Sequence, residues 1–191
     1  YKQGAFEDYT QALGFRPNDA DTYYNRANAR FELGDKQGAL EDYTQAIILE
    51  PSFVEARVNR GNARFELGDK QGALKDYTQA LCFRPNDADT YYNRGNARFE
   101  LGDKQGALED YTQAIVLEPS FVEAYVNRGN ARFELGDKQG ALEDYTQALN
   151  FRPNDSVAYY NRAGIYFEFG YKDESMQDLA KAIFQDFRIS L

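Results

Sequence analysis

Histidine and tryptophan are absent from this 191-residue sequence, and cysteine and methionine each occur once. Without histidine the chain lacks the side chain used most often for general acid–base catalysis. A single cysteine, Cys82, can neither close an internal disulfide nor build a Cys/His metal site. We therefore expect a protein that is not an enzyme, with no catalytic residue, no bound metal and no cofactor.

Positive charge is also scarce. Lysine and arginine together number 22 against 31 acidic residues, which gives a formal net charge of −9. A nucleic acid would meet net repulsion, so we expect no nucleic-acid partner. No apolar run approaches the roughly 18 residues of a membrane helix, and no export leader is visible. We expect no membrane partner and a cytoplasmic location.

What the sequence does contain is a strict repeat. Five prolines lie 34 residues apart, at Pro17, Pro51, Pro85, Pro119 and Pro153. The string NARFELGDKQGAL begins at Asn28, Asn62, Asn96 and Asn130. A fixed period of this length indicates stacked supersecondary units. We predict one array over residues 1–191, made of a half repeat at 1–19, full repeats at 20–53, 54–87, 88–121 and 122–155, and a divergent last repeat at 156–191.

Alternate repeats are almost identical. Repeats 20–53 and 88–121 differ at two positions, and repeats 54–87 and 122–155 differ at three. The three substitutions are Arg57 to Tyr125, Lys75 to Glu143, and Cys82 to Asn150. Because asparagine stands at the position of Cys82 in the twin repeat, we expect no redox role for this thiol.

The first helix of repeat 20–53 is predicted from about Ala20 to Leu33. Asn18 or Asp19 can accept a hydrogen bond from a backbone N–H of the first turn, as N-cap residues do. Gly34 supplies the left-handed conformation that commonly ends a helix. The first half of each repeat is therefore predicted to be a helix of about four turns.

The second helix of this repeat is predicted from about Lys36 to Leu49, with Asp35 as its cap and Pro51 preventing its continuation. Its apolar residues recur on one face, at Ala39, Tyr43, Ala46 and Ile47. Small residues at such positions let neighbouring helices approach closely. No β pattern occurs, so the fold class is predicted to be all-α.

The pattern of each repeat resembles the tetratricopeptide repeat. The residues that carry the resemblance in the first full repeat are Tyr23, Ala27, Gly34, Ala39, Tyr43, Ala46 and Pro51. The last repeat departs most, with Ser175, Leu179 and Phe187 at three of these positions. The resemblance implies an α-solenoid in which stacked helix pairs form a right-handed superhelix. It also implies a concave groove, lined by the first helices, that holds peptide segments of other proteins.

One face of each first helix carries a polar stripe. In repeat 20–53 the stripe is Asp21, Asn25, Asn28 and Glu32, spaced four, three and four residues apart. The following repeats give Glu55, Asn59, Asn62, Glu66, then Asp89, Asn93, Asn96, Glu100, then Glu123, Asn127, Asn130, Glu134, and in the last repeat Asn161. Tyr24 and Tyr92 flank the stripe. By the resemblance, these side chains line the concave groove.

Asparagine suits a peptide-binding surface because its amide can donate to a carbonyl and accept from an N–H at the same time. The asparagines are therefore candidates for contacting an extended peptide main chain. The alternative is that they are solvated or link adjacent first helices. The carboxylates favour a neutral or basic peptide, or they serve solubility alone. The positions where related domains carry lysines that grip acidic tails hold Asp21, Tyr24 and Glu55 here, so an acidic partner is disfavoured.

The arginines on the inner side of the first helices are predicted to be structural. They are Arg26, Arg60, Arg94, Arg128 and Arg162, and an aspartate recurs 16 residues after each one. An unpaired charge at this inner position would be costly, whereas an arginine and a carboxylate can form two parallel hydrogen bonds. We expect a bidentate Arg–Asp pair between the two helices of each repeat.

These observations predict a protein-interaction scaffold that binds an extended peptide of a partner in its groove. Two alternatives remain open. The array can be a docking or regulatory segment of a larger enzyme, because the sequence starts in mid-repeat. It can also be a self-assembling structural array.

Self-association is expected through the two ends of the array. Near the start, part of the normal cover by a preceding first helix is missing for Phe6, Tyr9, Ala12 and Leu13. The other end closes with four apolar residues, Phe184, Phe187, Ile189 and Leu191. Solenoid ends without polar caps tend to associate. Light scattering over a dilution series should therefore show a mass above that of the monomer, and a monomer mass up to millimolar concentration would contradict the prediction.

Overall fold

The computed structural model describes residues 2–189, and for residues 186–189 it describes the backbone alone. Within this range it contains eleven helices and no strand, which confirms the all-α prediction. Of the residues expected to drive self-association, Phe187, Ile189 and Leu191 lie outside the described side chains. The chain divides into two compact units, residues 1–101 and 102–191, which are treated separately below. That residues 1–191 form one array stays a prediction.

The first unit holds six helices, each packed against the next one along the chain. They are α1 (Lys2–Phe15), α2 (Ala20–Glu32), α3 (Lys36–Leu49), α4 (Val54–Glu66), α5 (Lys70–Phe83) and α6 (Ala88–Glu100). The second unit holds five helices packed in the same consecutive manner. They are α7 (Lys104–Leu117), α8 (Val122–Glu134), α9 (Lys138–Phe151), α10 (Ser156–Glu168) and α11 (Lys172–Ile189).

The helix ends follow the capping residues of the sequence. Asp19 rather than Asn18 caps α2, because its carboxylate accepts a hydrogen bond from the Thr22 N–H. Gly34 has a φ of 87°, a conformation that side chains with a Cβ rarely adopt. The next residue, Asp35, donates its N–H to the Arg30 carbonyl at 2.9 Å and caps α3 with its carboxylate. The recurring Leu-Gly-Asp string is therefore the turn between the two helices of a repeat.

Small residues form the contact between the two helices of a repeat. Ala27 of α2 and Ala39 and Ala46 of α3 are completely buried, and the Tyr43 ring beside them is 2% exposed. In the next repeat glycine replaces Ala27, and a Cβ added at Gly61 would lie 2.6 Å from the Tyr77 ring. The predicted close approach of the helices is confirmed.

Each repeat also buries a carboxylate, and arginines from the first helix neutralise it. Asp76 of α5 has no exposed surface. Arg60 of α4 donates from Nε to Asp76 Oδ2 at 2.9 Å and from Nη2 to Oδ1 at 2.6 Å. Arg64, one turn later, donates to Oδ2 at 2.8 Å. The predicted bidentate pair is confirmed, and a second arginine that the sequence reasoning missed completes it.

The same pair connects one repeat to the one before it. Arg60 also donates to the Thr44 hydroxyl of α3 at 3.2 Å. In the second unit Arg128 donates to both carboxylate oxygens of Asp144, and it also donates to the Thr112 hydroxyl of α7 at 3.3 Å. The bidentate pairs recur as Arg26–Asp42 and Arg162–Asp178. One guanidinium thus joins three helices.

Replacing Asp76 with alanine should destabilise the first unit by about 3–5 kcal/mol, because two arginines would lose their buried counter-charge. The matched control is Lys75→Glu, since the twin repeat carries Glu143 at this exposed position. Surface changes of this kind alter the free energy of unfolding by about 0.5 kcal/mol or less. Denaturant unfolding measures both variants, and equal midpoints would contradict the role assigned to Asp76.

Candidate functional site

The asparagines of the first helices form a hydrogen-bonded ladder. In the first unit, the Tyr43 hydroxyl of α3 donates to Asn28 Oδ1 at 2.6 Å. Asn59 of α4 donates from Nδ2 to the same oxygen at 3.1 Å and to the Tyr24 hydroxyl at 3.3 Å. Asn28 therefore receives one hydrogen bond from its own repeat and one from the next.

The arrangement repeats along both units. Asn62 Oδ1 accepts from Tyr77 at 2.8 Å and from Asn93 at 3.4 Å. In the second unit Asn130 Oδ1 accepts from Tyr145 at 2.7 Å and from Asn161 at 3.0 Å. Three asparagine pairs thus link adjacent first helices, as one of the two alternatives from the sequence predicted. They are Asn28–Asn59, Asn62–Asn93 and Asn130–Asn161.

The linked amides keep part of their hydrogen-bonding capacity. An asparagine has two donor hydrogens and an acceptor oxygen with two lone pairs. The Nδ2 groups of Asn28 and Asn62 and the Oδ1 atoms of Asn59 and Asn93 have no intramolecular partner among the described residues. Each linked pair in the first unit therefore presents one donor and one acceptor group.

The other predicted site residues lie along the same helices. Asn25 and Tyr24 are half-buried, as are Tyr92, Asn96 and Asn127. Tyr24 packs its ring against Tyr43 and Phe53, with centroid distances of 6.1 and 4.9 Å. The contacts of these residues with a peptide stay predictions.

Most of the described carboxylates of the stripe are paired with basic side chains of the protein itself. Glu66 Oε2 lies 2.7 Å from Lys36 Nζ, and Glu134 Oε2 lies 2.5 Å from Lys104 Nζ. Glu55 accepts from Arg84, which lowers the pKa of its carboxyl. Glu100 is exposed, and no ion pair is found for it among the described residues. The negative field along the stripe is therefore weaker than the sequence alone indicated.

A cavity of about 350 Å³ opens on the ladder in the first unit. Its lining consists of Asn28, Phe31, Glu32, Tyr43, Asn59 and Asn62. The cavity thus combines three amides, two aromatic rings and one carboxylate. Such a mixture of apolar surface with a few polar groups is typical of a ligand pocket.

Sequence reasoning missed two sets of residues at this site. Tyr43 was assigned to the core alone, although its hydroxyl holds Asn28, and the 15-residue spacing of this pair recurs as Asn62 and Tyr77. The pairing of Lys36 with Glu66 was also missed, although a lysine precedes a glutamate by 30 residues in every repeat except the last.

The described residues contain neither a metal-binding cluster nor a helix that could span a membrane. No group of three or more acidic or cysteine side chains in that part of the chain could hold a metal ion. No helix there combines the length and the apolar character needed to cross a bilayer.

Comparison with protein-family models gives matches over most of the chain. Models described as tetratricopeptide repeat match residues 20–53, 122–155 and 156–183. A model described as TPR repeat matches residues 61–102 and 95–136. No curated protein sequence matches the chain significantly.

Solved structures share the fold. The crystal structure of YrrB, described as a TPR protein with an unusual peptide-binding site, is 25% identical with a TM-score of 0.80, covering 95% of this chain and 93% of that one. A MamA crystal structure is 24% identical with a TM-score of 0.81, and the alignment covers 86% of this chain and 96% of the MamA chain. A tetratricopeptide repeat protein from Parabacteroides merdae is 23% identical with a TM-score of 0.83, and the alignment covers 96% of this chain and 73% of that protein's chain.

The buried tyrosines that hold the ladder also respond to pH. Burial raises the pKa of Tyr43, Tyr77 and Tyr145 well above the ordinary value of about 10. Each hydroxyl must stay protonated to donate to its asparagine. Because the folded-state pKa is raised, the stabilisation is fully present below about pH 10 and is lost as the pH rises through the folded-state value.

We therefore expect the free energy of unfolding to fall above about pH 10, by up to about 1.4 kcal/mol per pH unit for each tyrosine. Lysines also titrate there, so Tyr43→Phe is the matched variant, and its loss of stability with pH should be smaller than that of the parent chain. Denaturant unfolding at pH 8, 10 and 11 gives both slopes. Identical slopes would contradict the assignment.

Proposed function

The chain belongs to the tetratricopeptide repeat family, and from this premise we propose that its ladder face binds an extended peptide segment of a protein partner. Members of this family typically serve as protein-interaction scaffolds rather than as enzymes. The proposed contacts are the amides of the linked pairs, with Asn25, Tyr24 and their equivalents beside them.

The observation that carries the proposal is the remaining capacity of the linked amides. An extended main chain offers carbonyl oxygens and N–H groups in alternation. The Nδ2 group of Asn28 can donate to a peptide carbonyl, while Oδ1 of Asn59 can accept from a peptide N–H. The Asn62–Asn93 pair offers the same combination. Since the bonds to Tyr43 and Tyr77 already hold Asn28 and Asn62, little side-chain freedom would be lost on binding.

The partner segment is expected to be neutral or basic. The net charge of −9 disfavours a strongly acidic ligand. Close to the ladder, Asp89 and Glu100 of α6 are exposed acidic groups. Glu66 and Glu134 contribute less, because Lys36 and Lys104 offset their charge. The preference is therefore for uncharged segments with an occasional positive side chain.

The comparison with YrrB supports peptide binding. That protein is described as having an unusual peptide-binding site, and it aligns over nearly the whole of this chain. A docking segment of a larger enzyme would use the same face, so this alternative changes the biological context and leaves the binding chemistry unaltered.

A second candidate function is self-assembly, and exposed apolar side chains at the last two helices favour it. Val157 and Tyr160 of α10 are 55% and 65% exposed, and Ile183 of α11 is 57% exposed. A second copy of the chain could cover this surface. In the dilution series described above, Ile183→Glu is the matched variant that should remain monomeric if this surface forms the contact.

The peptide proposal is tested by selecting binders from a random peptide display library on the immobilised chain. Their affinity is then measured by fluorescence anisotropy. Replacing both Asn59 and Asn93 with alanine should weaken binding roughly 5- to 150-fold, at about 0.5–1.5 kcal/mol per lost hydrogen bond. The control is Asn18→Ala, in the exposed turn before α2. A library that yields only acidic tails, or a double variant with unchanged affinity, would refute the proposal.

A further inference from the structure

In one repeat the chain places its own cation on the ladder face. Lys70, the first residue of α5, holds its ammonium 3.5 Å from the ring centroid of Phe65. Phe65 belongs to α4 and lies one turn after Asn62 of the ladder. An ammonium over an aromatic face is an attractive cation–π contact. The face of the Phe65 ring thus binds the ammonium group of a lysine within the protein itself.

The preceding repeat has the same local sequence but a different contact. Residues 28–40 and 62–74 are identical. Lys36, the equivalent of Lys70, extends instead to Glu66 of the next repeat, with its Nζ 2.7 Å from Oε2. Phe31, the equivalent of Phe65, lines the 350 Å³ cavity together with Glu32. The position that Lys70 occupies on Phe65 therefore corresponds to open space beside Phe31.

We propose that this cavity is a specificity pocket for one basic side chain, such as a lysine, of the bound peptide. The inference rests on the proposed function, because the main chain of the same peptide would lie against the Asn59 and Asn62 amides. The methylene stem of the lysine packs against the half-buried Phe31 ring. Its ammonium lies over the Phe31 ring and reaches the Glu32 carboxylate.

The charge and size of the cavity agree with this occupant. Glu32 has one oxygen 3.2 Å from Lys2, and more than half of each of these side chains is exposed, so the carboxylate stays accessible from solvent. A cavity of 350 Å³ falls at the lower end of the roughly 300–1,000 Å³ range of small-ligand pockets. The Glu32 carboxylate would repel an acidic side chain, and an apolar side chain would form no ion pair with it.

The experiment uses capped nine-residue peptides of alternating alanine and serine, labelled with a fluorophore, whose central residue is lysine, norleucine or glutamine. Norleucine keeps the apolar stem and lacks the ammonium. Fluorescence anisotropy with the full chain should give an affinity for the lysine peptide about 3- to 30-fold higher than for the norleucine peptide. This range combines one cation–π contact and one partly exposed ion pair.

Variants place the effect in the cavity. Glu32→Gln and Phe31→Leu should each weaken lysine-peptide binding about two- to fivefold and leave the norleucine peptide nearly unchanged. Glu143→Gln is the matched control and should have no effect, since this exposed carboxylate of α9 does not line the cavity. Lys70→Ala should uncover Phe65 and add a further equivalent of bound lysine peptide.

The outcomes separate the two proposals. Equal binding of the lysine, norleucine and glutamine peptides, abolished by the Asn59 and Asn93 double substitution, would overturn the pocket and leave peptide binding intact. A lysine preference that persists in Glu32→Gln and Phe31→Leu would also overturn the pocket. If neither these peptides nor any library peptide binds, the proposed function falls together with the pocket.

Discussion

The buried aspartate of each repeat is the constraint on which the rest of the structure depends. A carboxylate with no exposed surface, such as Asp76, is tolerated only if its charge is met by well-placed donors. Arg60 and Arg64 supply them from the facing helix. This pairing directs the arginine face of the first helix inward. The asparagines lie on another face of the first helix, where Asn28 meets Tyr43 of the second helix and Asn59 of the next repeat and so forms the ladder.

The ladder in turn connects neighbouring repeats at the surface where binding is proposed. Asn28 is held by a tyrosine of its own repeat and by an asparagine of the next one. The guanidinium of Arg60 makes a second connection between the same two repeats, a hydrogen bond to the Thr44 hydroxyl of α3. Two layers of polar contacts therefore fix the spacing of successive first helices. A peptide that spans several repeats would meet amides whose positions are already set.

Much of this arrangement could be predicted because it depends on spacing. The helix ends follow from Asp19, Gly34 and Asp35, and the Arg–Asp pairs follow from a constant separation of 16 residues. The contacts of Lys36 and Lys70 could not be predicted in the same way. Their local sequences are identical, yet one ammonium binds Glu66 and the other lies on Phe65. A long flexible side chain can reach both partners, so local sequence does not choose between them.

The last repeat shows that the asparagine and its tyrosine act as one unit. Gly164 stands there at the position of Asn28, and Leu179 stands at the position of Tyr43. Either residue alone would be poorly matched, since a tyrosine hydroxyl without its acceptor leaves a polar group unsatisfied in the core. Both are replaced together, and Leu179 is 36% exposed where Tyr43 is 2% exposed. Asn161 still donates to Asn130, so within the second unit the ladder ends at a residue that completes the preceding repeat.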